Sequence, residues 1–150
     1  MRSGSLQFDK TQTATFPNSK SNEQFFFHLL EFQNKLVLNI SVDGVLDTTF
    51  KLPISTKRTI NYESMMDLNE NDDSIENEYD FQIEPQLLIG DHANMKIAII
   101  AGQVAKLIST QKPKETILSI GTRWLGKGDQ VEENDLAKLT FILENVKKLL

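Results

Sequence analysis

Regular alternation of apolar and polar residues predicts β-strands in the first third of the chain. In Leu36–Val42 every second residue is apolar, which is the period of a strand with one buried face. Threonine-rich Lys10–Phe16 and phenylalanine-rich Gln24–Phe32 also favour strands, because β-branched and aromatic side chains pack well on a pleated surface. We therefore expect three strands before residue 43.

Asp43-Gly44 predicts a hairpin that turns the third strand back into a fourth. With a two-residue loop, the returning strand would divide its apolar residues between the two faces of the sheet. A three-residue loop, with Gly44 in the left-handed conformation, aligns Ile40 with Leu46 on one face. The apolar pattern favours the three-residue loop.

The second half of the chain predicts two helices and two further strands. One strand is expected over Phe81–Ile89, and Asp91 is a good N-cap for a helix over His92–Gln111. A strand is expected over Glu115–Trp124. In Val131–Leu150 the leucines follow helical spacing, which predicts a last helix with one buried stripe.

These elements predict one α+β domain over residues 1–150, an antiparallel sheet of five or six strands with two helices packed on one face. The strand Gln24–Phe32 has apolar residues on both faces, with Phe26, Leu30 and Phe32 on one of them. Two helices can cover only one face of a sheet. We therefore expect the second face or an edge of the sheet to be used for dimerisation.

Charge is unevenly distributed along the chain. The formal net charge is −5, with 21 acidic and 16 basic residues, and nine of the acids fall in Glu63–Glu84, which has no lysine or arginine. The composition predicts a disordered acidic insert at about residues 56–80, with contact to a basic partner as the functional alternative. No run of lysine or arginine is longer than a pair, which argues against a nucleic-acid partner.

The cellular compartment is suggested by what the sequence lacks. It contains no cysteine, which excludes disulfides, thiolate zinc sites and cysteine nucleophiles. The first five residues form no apolar leader, and the apolar run Ile97–Ala101 is far shorter than the roughly 18 residues of a membrane span. We expect a cytoplasmic protein, also present in the nucleus, with no membrane partner.

Two segments resemble ligand-binding loops but lack residues that those loops require. Gly121–Lys127 has the glycine and lysine spacing of a phosphate loop, yet Gly128 replaces the magnesium-binding hydroxyl and Asp129 would repel phosphate. Asp67–Glu78 has the acidic spacing of a calcium loop, but Asp72 replaces the glycine of its sharp turn. The sequence thus predicts no metal and no cofactor.

The two histidines provide no catalytic signature. His28 lies in a predicted strand and His92 at a predicted helix start, and neither is next to an acid and a nucleophile in the sequence. The serine motif Gly-x-Ser-x-Gly is absent, because Ile117 stands where the first glycine would precede Ser119. We expect no catalytic residue and a protein that is not an enzyme.

The order of elements from Phe25 to Leu150 is similar to that of a known family. An aromatic strand and a turn are followed by a strand ending in Gln86–Asp91, an apolar helix, the strand Thr116–Trp124 and a last helix. This order resembles proteasome assembly chaperone 3, more closely its fungal form, and the similarity is best over Phe81–Leu150. The long acidic stretch departs from the shorter animal members.

The resemblance implies a non-enzymatic chaperone of 20S proteasome assembly. Such a chaperone pairs with a structurally similar partner, proteasome assembly chaperone 4. The pair would bind an alpha-type subunit, the fifth, promote correct alpha-ring formation and then dissociate. We expect the partner-chaperone interface at Phe26, Leu30, Phe32 and Val37.

The contact with the proteasome subunit is expected in the loop with Arg123, Trp124 and Lys127. Tryptophan and arginine are the residue types most enriched at interface hot spots. Trp124 fits the role of an ordinary core residue equally well. A longin-like or roadblock-like scaffold of trafficking or signalling remains the alternative class. An enzyme with a shallow pocket is the third, and substrate conversion that is lost when His28 or His92 is replaced by alanine would indicate it.

Overall fold

The computed structural model describes residues 9–16, 23–53, 84–126 and 130–150. The predicted acidic insert, the strand residues 81–83 and Lys127 lie outside these ranges. Within them the chain forms six strands, two helices and one short 3₁₀ turn. In chain order the elements are β1 (Asp9–Thr15), β2 (Gln24–Glu31), β3 (Lys35–Val42), β4 (Thr48–Leu52), β5 (Gln86–Ile89), α1 (Met95–Gln111), β6 (Glu115–Ile120), the 3₁₀ turn (Arg123–Leu125) and α2 (Asp135–Leu149).

The strands form one mixed sheet in the order β1-β2-β3-β6-β4-β5. Neighbouring strands are antiparallel except β3 and β6, which run parallel with Leu38 opposite Leu118. The predicted α+β class is confirmed, but the prediction of a wholly antiparallel sheet is wrong at this pair. The reason is that α1 is a helical crossover, which returns the chain to the end of the sheet where β3 begins.

The turn after β3 differs from the predicted hairpin. Val42 and Val45 exchange two backbone hydrogen bonds across a two-residue turn, with N–O distances of 3.2 and 3.0 Å. Asp43 and Gly44 have φ angles of 53° and 79°, the left-handed conformation that both central residues of a type I′ turn adopt. The predicted three-residue loop is wrong because β6, not β4, lies beside β3, and Leu46 is left exposed.

Both helices pack on the same face of the sheet and cover its apolar side chains. Along β3 and β6 every second residue is buried, from Leu36 and from Thr116 onward. On the helix side, α1 contributes the apolar residues from Ile97 to Ile108 that face the sheet. This single layered core consists of side chains that are far apart in the sequence, so it depends on the whole domain.

The start of α1 is set by a cap that differs from the predicted one. The side chain of Asn94 accepts a hydrogen bond from the backbone N–H of Ile97 at 3.1 Å, and the helix therefore begins at Met95. The predicted N-cap, Asp91, instead accepts a hydrogen bond from the N–H of Ala93 at 2.9 Å. It shapes the turn that precedes the helix.

The last strand and the last helix are both shorter than predicted. β6 ends at Ile120 rather than at Trp124, because the chain turns into the 3₁₀ turn. α2 begins at Asp135 rather than near Val131. The Asp135 carboxylate accepts a hydrogen bond from the N–H of Glu132 at 2.7 Å, which closes the non-helical turn before α2.

Candidate functional site

The face of the sheet turned away from α1 and α2, which we call the open face, is the candidate site. Its side chains alternate with the buried ones along β2, β3, β4 and β6. Strand register aligns them in rows that run across the sheet. An apolar row, a polar row and a charged row lie side by side on this face.

The apolar row consists of three neighbours on adjacent strands. Leu30 on β2 is opposite Val37 on β3, and Val37 is opposite Ile117 on β6. All three are partly exposed in the free chain. Phe26 lies on the same face of β2 with 42% of its surface exposed, and Phe32 follows the end of β2 with 51% exposed. The structure thus brings Phe26, Leu30 and Val37 onto one face, whereas their contact with a partner stays a prediction.

The polar row crosses the centre of the open face. It consists of one residue from each of five strands in register: Thr11, His28, Asn39, Ser119 and Thr49. His28 Nε2 lies 2.7 Å from a carboxylate oxygen of Asp9, and its ring stacks on Phe26. The hydroxyls of Ser119 and Thr49 are hydrogen-bonded at 3.0 Å. This row makes the open face partly polar.

The charged row marks one end of the open face. The carboxylate of Glu115 pairs with Lys35 at 3.3 Å and with Lys51 at 3.4 Å, so it bridges β3 and β4. The hydrogen bond from Lys35, assisted by Lys51, outweighs partial desolvation and lowers the pKa of Glu115. With two lysines around one carboxylate, this end of the face has a positive balance.

Sequence reasoning missed Ile117, Asn39 and Ser119 as members of this face. The alternation of β6 already separates Ile117 and Ser119 from the buried Leu118. What the sequence does not show is that β6 lies between β3 and β4, because strand order depends on contacts between distant residues. Asn39 was visible on the polar side of β3 but had no apolar character to mark it.

The predicted proteasome-subunit contact lies in the 3₁₀ turn, and its central residue is buried. Trp124 is only 6% exposed, and its ring packs edge-on against Phe25 with centroids 4.6 Å apart. Its Nε1 donates a hydrogen bond to the carbonyl of Gly121 at 3.1 Å. Trp124 is therefore a core residue, which is the second role that the sequence allowed. Arg123 beside it is exposed.

A buried lysine fixes this turn against both helices. Lys96 of α1 donates to the carbonyl of Leu125 at 3.0 Å and pairs with carboxylates of Asp135 and Glu132 at 3.2 and 3.5 Å. Burial disfavours the charged form of Asp135 and by itself would raise the pKa. The hydrogen bond from the Glu132 N–H and the Lys96 ammonium have the larger combined effect and lower the pKa of Asp135. The ammonium of Lys96 thus links the turn to α1 and to the start of α2.

Other parts of the described chain offer little chemistry. A groove of about 380 Å³ between α1 and α2 is lined by Leu107 and Leu143 with charged residues at its rim, and no histidine lines it. His92 is exposed before α1. No three histidine or carboxylate side chains of the described ranges lie close enough to hold a metal ion. Neither of the two helices is long and apolar enough to span a membrane.

The chain is an α+β domain whose sheet has one face that neither helix covers. The family model of the 20S proteasome chaperone assembly proteins 3 and 4 matches residues 1–147, and the chain belongs to this family. The resemblance stated from the sequence is therefore confirmed. Membership in a chaperone family also implies a non-enzymatic role.

One solved structure shows the same fold. It is described as the crystal structure of a novel chaperone complex for yeast 20S proteasome assembly, and it matches with a TM-score of 0.62 at 20% sequence identity. The match covers 94% of this chain and 97% of the other. No curated protein matches the chain. At 20% identity this likeness shows only a shared fold. The family match is therefore the observation that separates the chain from trafficking scaffolds of similar architecture.

Proposed function

We propose that this protein is one half of a chaperone pair in 20S proteasome assembly. It pairs through its open face with a structurally similar chaperone, a proteasome assembly chaperone 4-like protein. The pair binds an alpha-type subunit, the fifth, promotes correct alpha-ring formation and then dissociates. The observation that carries the proposal is the apolar row Leu30, Val37 and Ile117, which neither helix covers.

The composition of the open face suits a partner that is itself a sheet. Two sheets pack face to face about 10 Å apart, with the side chains of both faces interdigitated. Burial of the apolar row contributes roughly 25 cal/mol per Å². The family description names two chaperones together, and the similar yeast structure is a chaperone complex. Both observations favour a partner of related fold.

The polar and charged rows suit a contact with the partner chaperone that can form and dissociate. Interfaces that form and dissociate are modest in area and retain polar groups, whereas permanent interfaces are larger and more apolar. By occupying one surface of a subunit, such a pair blocks incorrect neighbours. The exposed Arg123 beside the buried Trp124 remains the proposed point of subunit contact, in the cytoplasm and the nucleus.

The partners can be identified by affinity purification of the full chain from its own cells at physiological salt, followed by mass spectrometry. We expect one partner chain of similar size and one alpha-type proteasome subunit in stoichiometric amounts, with few beta subunits. Another stable partner in place of both would contradict the proposal.

The interface can be tested in the same purification with two variants. Val37→Asp places a charge in the apolar row, and we expect at least about tenfold less partner chaperone, because an unpaired carboxylate is costly to bury. Thr140→Asp, exposed on α2, should retain the partner. Circular dichroism of both variants checks that the fold is intact. Equal loss in both variants, or loss only in Thr140→Asp, would refute the open-face interface.

A further inference from the structure

We infer that Asn39 determines which partner sheet can pack against the open face. The partner must place a hydrogen-bonding group opposite the side-chain amide of Asn39. The inference rests on the proposed function and adds the chemistry of the partner surface. Asn39 is central on the open face. It lies on β3, directly between His28 on β2 and Ser119 on β6 in the polar row.

The hydrogen bonds of the polar row leave Asn39 without a partner. His28 is bonded to Asp9, and Ser119 is bonded to Thr49. The side-chain amide of Asn39 makes no hydrogen bond to any described residue, although it is partly buried between these neighbours. An asparagine amide can donate two hydrogen bonds and accept two. In the free chain, water can supply them.

Covering the open face with a second sheet removes that water. An apolar side chain opposite Asn39 would leave the amide unsatisfied, which is penalised much more than a hydrogen bond between protein groups is rewarded. Beside Asn39, the apolar row favours apolar side chains on the partner, facing Val37. We therefore commit to one occupant, the sheet of a related chaperone with a polar group opposite Asn39 and an apolar row beside it.

This arrangement separates affinity from specificity on one face. The apolar row supplies most of the attraction to any apolar sheet, and Asn39 rejects those that lack a polar group at the matching position. In coiled coils a buried polar residue likewise fixes the register and the partner.

The experiment compares Asn39→Val with Ser41→Val, which lies two residues further along the same strand and face. Valine suits a β-strand and removes the unsatisfied amide, so the free Asn39→Val chain should melt at the wild-type temperature or above it. Its affinity for the purified partner chaperone, measured by calorimetric titration, should be about tenfold weaker. Ser41→Val removes one hydroxyl rather than an amide with two donors, so it should lose clearly less affinity than Asn39→Val.

The outcomes distinguish this inference from the proposed function. If Asn39→Val binds the partner as tightly as the wild type while Val37→Asp does not bind, the open face is the interface but Asn39 sets no specificity. If both variants bind normally, the proposed interface itself is wrong. If Asn39→Val does not fold, Asn39→Ala gives the same comparison, because it removes the amide without adding volume.

Discussion

At the scale of single residues, Gly121 is the position where a side chain has least room. A Cβ atom there would lie 2.5 Å from the carbonyl oxygen of Val45 and 3.2 Å from the side chain of Val42. The N–H of Gly121 also donates to the carbonyl of Ile40 at 3.0 Å. The absence of a side chain lets the turn after β3 approach the end of β6.

Gly121→Ala should therefore destabilise the protein by about 1–3 kcal/mol, because the clashing atom is backbone and cannot move aside alone. Gly102→Ala is the matched control. Gly102 lies in α1, and beyond its chain neighbours and the nearby helix backbone no atom lies within 4 Å of an added Cβ, so alanine should stabilise the helix by about 0.5–1 kcal/mol. Urea unfolding of both variants measures the difference. Equal stability changes of the same sign would contradict this account of Gly121.

The sequence predicts some residues of the site and not others, for identifiable reasons. Phe26, Leu30 and Val37 could be assigned to one face from strand alternation alone. For Trp124 the sequence left two roles open, because a tryptophan after a strand suits a core and an interface equally. Asn39 was not singled out, since its importance depends on the hydrogen bonds of its neighbours in space.

At the scale of elements, one carboxylate joins the end of β2 to the connection between α1 and β6. Glu31 accepts hydrogen bonds from Lys112 at 2.7 Å and from Lys114 at 2.9 Å. Lys114 also donates to the carbonyl of Phe32. The hydrogen bonds from the two lysines outweigh partial burial and lower the pKa of Glu31 to about 2.

This shift predicts a dependence of stability on pH. The folded-state pKa of Glu31 lies below the ordinary value of 4.5, so its contribution is complete above pH 4.5 and is lost as the pH falls towards 2. Glu31→Gln should be less stable by about 1 kcal/mol at neutral pH and should lose less stability between pH 4.5 and 2. Glu144→Gln, exposed on α2, should keep the wild-type profile. Parallel profiles for wild type and Glu31→Gln would contradict the assignment.

The elements themselves were largely predictable, but their arrangement was not. Helices and strands follow from local periodicity, and their observed ends differ by a few residues where a cap such as Asn94 replaces the predicted one. The position of β6 beside β3 depends on pairing between Leu38 and Leu118, which are far apart along the chain. A hairpin prediction from Asp43-Gly44 could not anticipate that a distant strand would separate its two arms.

At the scale of the whole molecule, the two sides of the sheet have different roles. The helices and the 3₁₀ turn complete the hydrophobic core on one side of the sheet. The open face has an apolar row flanked by polar and charged ones, which suits a specific and reversible contact. The helix-covered face therefore holds the core, and the open face is the proposed surface of contact with a second chaperone.

The measurement that tests the open-face interface most directly is thiol labelling in the complex of the two chaperones. Because the chain has no cysteine, Ser41→Cys on the open face and Thr140→Cys on α2 each provide a single reactive site. We expect maleimide labelling of Ser41→Cys to slow at least about tenfold when the partner chaperone is bound, and that of Thr140→Cys to stay unchanged. Protection of Thr140→Cys with free labelling of Ser41→Cys would contradict the account.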